Sequence, residues 1–163
     1  MPSRVVARPP ASVTVSPQQD PDLIARYLED AAHYPGGNAR GVLRPGIIDE
    51  LSASLRSPQR VLVVGAQSSL TGGATPSGDV VIATDRENNI AVQGSRARVG
   101  AGVTLQALQD TLAKRGRWFP PVPTYLGATA GGAVATCAAG AATFKYGTVR
   151  NWVDAIVVVL AGG

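Results

Sequence analysis

Apolar residues recur at two different spacings along the chain, and each spacing predicts a type of secondary structure. A spacing of three or four residues, typical of one face of a helix, predicts helices that begin near residues 21, 47 and 105. Asp20 caps the first helix, which is expected to continue through Ala31 until the turn sequence PGG at 35–37 stops it. The third follows Thr104 and ends at Gly116, so both of its ends carry the expected residue types.

Short apolar runs bounded by turn residues predict strands. Such runs occupy 60–64 and 79–83, and a further pair at 90–93 and 96–99 is separated by Gly-Ser, which is typical of a hairpin. The chain closes with an apolar run at 153–161, followed by two glycines. A buried strand followed by Gly-Gly is how a hairpin begins, so we expect a C-terminally incomplete domain. The alternative is a natural C-terminal strand with a frayed tail.

Two stretches follow neither spacing. Residues 1–19 contain several prolines and little periodicity, which predicts an extended or disordered leader. From 120 to 144 no residue is charged, yet prolines, glycines and threonines interrupt the run. This second stretch is therefore predicted to be tightly packed loop, and not a membrane span or an ordinary helix.

Composition narrows the class of protein. With 45% hydrophobic and 16% charged residues the 163-residue chain is globular, and 19 glycines and 12 prolines predict many loops. The net charge of +4 comes from scattered cations and aromatic residues are scarce, so we expect no nucleic-acid partner. A single cysteine excludes an intrachain disulfide and a thiolate metal cluster, and no metal site is predicted. No stretch resembles a signal peptide or a membrane segment, which makes the cytoplasm the expected location.

The first candidate for chemistry is the loop at 65–73, GAQSSLTGG, which directly follows a predicted strand. Small residues let backbone N–H groups approach an anionic group, and the serine and threonine hydroxyls add donors. The loop contains no lysine, so it does not match the phosphate loop of nucleoside triphosphatases. On pattern alone, a phosphate-holding loop and a plain turn between strands both remain open.

The second candidate is the glycine- and alanine-rich stretch 120–140, whose small side chains and threonines suit a flat or extended ligand. Close packing against neighbouring backbone explains the same composition equally well. The segment Gly100-Ala101-Gly102 resembles a dinucleotide-binding turn, but Leu105 occupies the third glycine position and the expected acidic residue is absent. His33 is more typical of a surface histidine, and Cys137 of a small buried side chain.

Taken in order, the two loops and their surroundings resemble the FAD-binding domain of the vanillyl-alcohol oxidase and p-cresol methylhydroxylase superfamily. The nearest in appearance are the bacterial D-lactate dehydrogenase and glycolate oxidase flavoprotein subunits. The resemblance spans about residues 44–163 and is carried by the segments VVGAQSSLTGGATP, VGAGVTLQALQDTLAKRGRWFPP, ATAGGAVATCAAG, FKYGTVRNWV and VVLAGG.

The resemblance implies an α+β fold, a PCMH-type domain of two α+β subdomains that hold FAD between them. Within a domain over 20–163, the first subdomain is expected at about 40–100 and the start of the second at about 101–163. The first loop would hold the pyrophosphate, and the second would line the ribityl chain and flavin. The cofactor-binding residues so implied are Gly65, Ala66, Gln67, Ser68, Ser69, Gly72, Pro123, Thr124, Thr129, Gly131, Gly132, Thr136, Gly140, Tyr146 and Gly147.

This chain departs from the family pattern at three positions. Gln67 stands where the family often has glycine, and Cys137 and Ala139 stand where asparagine and glycine are common. Covalent members use a histidine, and neither loop contains one, so non-covalent FAD is implied.

The function implied is FAD binding in a flavin-dependent oxidoreductase that oxidises a small 2-hydroxy acid or alcohol by hydride transfer to flavin N5. The chain alone is expected to be incomplete and inactive, and the resemblance assigns it neither a catalytic residue nor an electron acceptor. Two alternatives stay open. One is a non-catalytic remnant that keeps the fold without stable cofactor, and the other is a non-oxidising relative of the ether-lipid synthase type.

Overall fold

The structure, a computed structural model, describes residues 13–56 and 59–163. Three parallel strands form its main sheet: β1 (Asn38–Leu43), β2 (Val61–Val64) and β3 (Ser77–Ala83), in the order β1-β3-β2. The central strand is the most deeply buried, and Val81 and Ile82 have no accessible surface. Apolar side chains on both faces of a parallel strand are expected when helices cover both faces.

Two helices cover this sheet. Helix α1 (Pro21–Ala25) contributes Leu23 and Ile24 to the cluster around Val42 and Val81 on one face. Helix α2 (Ile48–Leu55) contributes Leu51 and Leu55 to the cluster around Val80 and Ile82 on the other. The first part of the chain is therefore a three-layer arrangement with the sheet in the middle.

A hairpin and a helix form the next packing unit. Strands β4 (Ile90–Gln93) and β5 (Arg96–Val99) pair antiparallel around a turn in which Gly94 has φ +57°. Helix α3 (Leu105–Ala113) packs on the hairpin through Leu108 and Leu112. Thr104 caps the helix by accepting the N–H of Ala107 at 3.2 Å, so the hairpin and this helix confirm the sequence prediction.

The remaining elements are short. Helix α4 (Ala130–Ala135) and the start of α5 (Thr143–Tyr146) lie in the uncharged stretch 120–144, which was predicted to be loop, and a 3-10 turn (Val149–Trp152) follows that stretch. Leu105, Ala133 and Val149 form their common core. Mixed helices and strands give an α+β fold, as predicted. Within the described ranges, no helix is long and apolar enough to cross a membrane.

The structure corrects four sequence predictions, and the first concerns Cys137, which is exposed and is not a small buried side chain. Helix α1 ends at Ala25 and does not reach Ala31, because the following residues turn towards the loop after β2. Strand β1 was not predicted. Residues 153–161 form no strand, because their N–H groups from 154 onwards find no backbone partner in the described part of the chain. Ile156, Val157, Val158 and Leu160 are consequently exposed.

The structure describes part of the predicted leader. Residues 1–12 lie outside the described residues. Residues 13–19 are extended, and Gln18 exchanges backbone hydrogen bonds with Val42 at the edge of the sheet. Val15 packs against the cluster around Val80. The described part of the leader, residues 13–19, therefore packs on the domain.

Candidate cofactor-binding site

The first candidate loop, residues 65–73, lies in the connection 65–76, which carries the chain from the carboxyl end of β2 back to the start of β3. Parallel strands are usually joined through a crossover helix, but this connection contains none. In open α/β sheets the carboxyl ends of the strands are the edge at which ligands bind. The loop therefore leaves much of its backbone available at the edge where a ligand is expected.

The backbone donors of this loop are the main feature of the site. The N–H groups of residues 65–70 donate no hydrogen bond to any partner within 13–56 and 59–163. Thr71 is the next donor along the chain, and its N–H is accepted by Ser69 Oγ at 3.3 Å. A run of unpaired donors is costly unless water or a ligand accepts them, so this segment suits an anionic group.

Gln67 shapes the loop from within. Its backbone is left-handed, with φ +48°, and its carbonyl accepts the N–H of Ala31 at 2.9 Å. Its side-chain amide donates to the carbonyls of Tyr27 at 2.9 Å and Ala74 at 2.8 Å. One residue thus connects the middle of the loop both to its far end and to the segment after α1.

That segment, residues 27–34, is here called the strap because it lies across the loop. Asp30 is 3% exposed, and its carboxylate accepts the N–H groups of Ala32 at 3.1 Å and Ala74 at 3.2 Å. The ring of Tyr34 lies 3.0 Å from the position of a Cβ on Gly72, where φ is +75°. Gly72 therefore faces the strap.

The second candidate loop contacts the first through Thr129. This residue is 6% exposed and caps α4, its Oγ1 accepting the N–H of Gly132 at 3.3 Å. A Cβ on Gly65 would lie 2.2 Å from the same oxygen. Gly65 lacks a side chain because the two loops meet there, and this contact brings the predicted residues Gly65, Thr129 and Gly132 together.

Packing explains two other predicted glycines. A Cβ on Gly131 would lie 2.8 Å from the Cβ of Ala101, and one on Gly140 would lie 2.1 Å from the carbonyl oxygen of Val122. Both glycines allow close approach of the protein's own backbone. The sequence left packing and ligand contact open for this stretch, and at these two positions packing alone accounts for the residue type.

An open cavity of about 260 Å³ lies between the two loops. Three predicted site residues line it: Ala66, Gln67 and Ser68. Ala31, Leu70 and Tyr125 also line it, and the sequence did not single them out. Leu70 and Tyr125 are 78% and 61% exposed, so the cavity combines unpaired backbone donors with exposed apolar walls. An aromatic residue within an uncharged, glycine-rich stretch was the available signal for Tyr125.

The other predicted residues do not line this cavity. Pro123 and Thr124 lie in irregular chain directly before Tyr125, and Ser69 Oγ is 3.0 Å from Thr71 Oγ1. Thr136 ends α4 and donates from Oγ1 to the carbonyl of Gly132 at 2.8 Å. The ring of Tyr146 lies edge-on to that of Trp118, with centroids 5.2 Å apart, and Gly147 ends α5 with φ +79°.

An ion pair borders the sheet at the same edge. Arg44, which follows β1, donates from Nε to both oxygens of Asp85, at 3.1 and 3.3 Å. Hydrogen bonding to Asp85 raises the pKa of the Arg44 guanidinium, which stays a cation. Burial, followed by the charge of Asp85, raises the pKa of the Tyr27 phenol. These groups hold the carboxyl ends of β1 and β3 together.

A sequence profile of the FAD binding domain family matches residues 39–163. D-lactate dehydrogenase of Archaeoglobus fulgidus is 38% identical over 129 residues, which are 75% of this chain and 29% of that protein. D-2-hydroxyglutarate dehydrogenase of Xanthomonas citri pv. viticola is 29% identical over 88% of this chain and 32% of its own length. Glycolate oxidase subunit GlcD of Bacillus subtilis is 31% identical over 84% of this chain and 31% of its own length.

Among solved structures, alkyldihydroxyacetonephosphate synthase superposes with a TM-score of 0.67 at 22% identity, over 75% of this chain and 24% of that one. At this identity the likeness concerns the fold alone. The chain spans 29% of the Archaeoglobus protein and 22% of the D-lactate dehydrogenase of Anaerostipes hadrus, which is 38% identical over 61% of this chain.

Proposed function

The chain belongs to the FAD binding domain family, and we propose that its loop 65–73 holds the pyrophosphate of FAD. The observation that carries this proposal is the run of unpaired N–H groups at 65–70 beside the cavity. A pyrophosphate offers several acceptor oxygens to such donors, and oriented backbone dipoles stabilise its negative charge without a lysine. The donors present fit the anionic part of the cofactor.

The walls of the cavity support the same proposal. Ligand sites in proteins are mostly apolar and carry a few placed polar groups. Leu70 and Tyr125 supply exposed apolar surface on either loop, and Ala66 and Ser68 leave room beside the donors. A flat ring of the cofactor would pack on Tyr125 while the pyrophosphate accepts from the loop.

The second loop contributes mainly by its position in this proposal. Thr129 keeps it against Gly65, so a cofactor held at the first loop would also face the second. Ser69, Gly72, Pro123, Thr124, Gly131, Thr136, Gly140, Tyr146 and Gly147 remain proposed site residues by resemblance. For Gly72, Gly131 and Gly140 the structure offers packing partners within the protein. By resemblance we propose a boundary between two subdomains near residue 100, although the hairpin before this point packs on α3 after it.

We further propose that the chain is the FAD-binding part of an oxidoreductase that acts on a small 2-hydroxy acid. The names of the relatives support this class, since lactate, 2-hydroxyglutarate and glycolate are all 2-hydroxy acids. Bound FAD supplies a hydride acceptor for such an oxidation. The residues of this chain bind and orient it, and none of them is assigned a proton transfer. A cytoplasmic location stays a prediction.

Titration of the purified chain with FAD, ADP and riboflavin tests the pyrophosphate proposal. Isothermal titration calorimetry is a suitable readout, because Trp118 and Trp152 contact Tyr146, which does not line the cavity. We expect ADP to compete with FAD, because both carry a diphosphate, and riboflavin to leave ADP binding unchanged. Binding of riboflavin as tight as that of FAD, with no binding of ADP, would contradict a pyrophosphate site in this loop.

A further inference from the structure

Gln67 occupies a conformation that its residue type does not favour. Its φ of +48° lies in the left-handed region, where the Cβ of any residue other than glycine crowds the backbone. Among the described residues only His33 and Cys137 are other non-glycine residues with positive φ. A glutamine in such a position needs contacts that compensate for the strain.

Its side chain provides these contacts in a way that glycine cannot. Both donors of the amide are used, one on the strap at the carbonyl of Tyr27 and one on the end of the loop at the carbonyl of Ala74. The backbone carbonyl of Gln67 adds a third bond, from Ala31. The loop is thus held at its middle by two segments that are distant in sequence.

We propose that Gln67 is a positioning residue that keeps the N–H groups of 65–70 directed towards the cavity before any cofactor arrives. This inference rests on the function proposed above and assigns Gln67 a role through the backbone. The bonds to the strap and to Ala74 use side-chain donors and a carbonyl, so they leave the N–H groups of the loop free. A loop ordered in advance loses less conformational entropy when it binds.

The chemistry of the side chain is specific to this task. Tyr27 and Ala74 both present carbonyl oxygens, so the side chain must supply two donors and no charge. Asparagine has the donors but is one methylene shorter. Methionine has nearly the same length and shape but no donor. Glycine relieves the backbone strain and removes both side-chain bonds, and only the backbone carbonyl that accepts from Ala31 is kept.

Two variants separate the connection from the strain. Gln67→Met removes the donors and keeps the left-handed strain, so its melting temperature should fall. Gln67→Gly removes the donors and relieves the strain, so its melting temperature should be kept or raised. Cys137→Gly is the matched control, because it relieves the same φ of +48° at an exposed residue that does not line the cavity.

The expected result is that affinity and stability are uncoupled. Both Gln67 variants should lose about tenfold in FAD affinity, the loss expected for one or two neutral hydrogen bonds, and the control should bind like the unmodified chain. Amide exchange in the ligand-free protein gives an independent readout. The N–H of Ala31, which the Gln67 carbonyl accepts, should exchange faster in both variants.

Failure of this inference is distinguishable from failure of the proposed function. If the unmodified chain binds FAD and Gln67→Gly binds it equally well, Gln67 does not position the loop. Affinities that simply follow melting temperature would likewise overturn the inference, because they indicate a role in overall stability. If the unmodified chain binds neither FAD nor ADP, the pyrophosphate proposal fails, and unchanged exchange at Ala31 would then reject the connection as well.

Discussion

A glutamate at position 66 would place a negative charge on the wall of the cavity, beside the donors assigned to the pyrophosphate. Ala66 is exposed and lines the cavity, so a longer side chain can be accommodated without disturbing the core. Ala66→Gln has nearly the same shape and no charge, and it is the matched control. The difference between the two variants therefore isolates the electrostatic effect on FAD binding.

The size of this effect follows from Coulomb's law. With one carboxylate about 6 Å from a diphosphate of charge about −2, and a dielectric constant of ~80, repulsion is about 1.4 kcal/mol, or roughly tenfold in affinity. Partial exclusion of water from the cavity would lower the effective dielectric constant and increase the loss. Because the Debye length falls from about 10 Å at 0.1 M salt to about 3 Å at 1 M, high salt should remove most of the difference.

The assay is titration of both variants with FAD and ADP at low and high salt. Ala66→Glu should bind both ligands about tenfold more weakly than Ala66→Gln at low salt, and the two should converge at high salt. Melting of the ligand-free proteins controls for folding. Equal affinities at low salt in two folded variants would refute the argument that a diphosphate lies beside residues 65–70.

Three further changes test the neighbouring features. If a cofactor ring packs on Tyr125, Tyr125→Ala should weaken FAD binding by up to about tenfold, and Tyr125→Phe should not. Equal FAD affinities for both variants and the unmodified chain would contradict this packing. Gly65→Ala should lower the free energy of unfolding by about 1–3 kcal/mol, measured by chemical denaturation. The added Cβ would lie 2.2 Å from Thr129 Oγ1, so one of the two groups must move. Gly73→Ala, where the nearest atom is 3.3 Å away, is its control. Bound flavin should be released on acid precipitation, and flavin retained and mapped to Cys137 would show covalent attachment.

Caps, turn residues and apolar spacing predicted those helices and strands that are stabilised by contacts within a few residues of sequence. The hairpin at 90–99 has a glycine in its turn, and α3 has a threonine cap, three leucines on one face and Gly116 after its end. Each of these features acts within a few residues of sequence. The apolar run at 60–64 also predicted a strand directly before the first loop, although β2 is an edge strand in which only Val64 is buried.

The elements that the sequence did not predict correctly depend on contacts between residues that are distant in sequence. Strand β1 contains Gly41, and a Cβ on this glycine would lie 2.9 Å from the carbonyl oxygen of Gln18. The strand therefore depends on residues that are far away in sequence, both here and in its pairing with β3. Helix α1 ends early because Asp30 bonds to Ala74 across the loop. The apolar run at 153–161 has the composition of a strand, but it pairs with no strand within 13–56 and 59–163, and composition alone cannot supply a partner.

The glycines of the two loops have different physical roles, and the free hydrogen-bond donors indicate which loop would hold the pyrophosphate. Gly131 and Gly140 admit atoms of Ala101 and Val122, whereas Gly65 admits Thr129, so Gly65 is the glycine at which the two loops meet. Of the two loops, the first contains the longest run of unpaired donors, residues 65–70, and these donors are neutral backbone groups. Neutral donors hold an anion through directed hydrogen bonds, which salt weakens less than it weakens contacts from exposed lysines. The unmodified chain should therefore bind FAD with little dependence on salt, and the strong dependence expected of Ala66→Glu would come from the added charge alone.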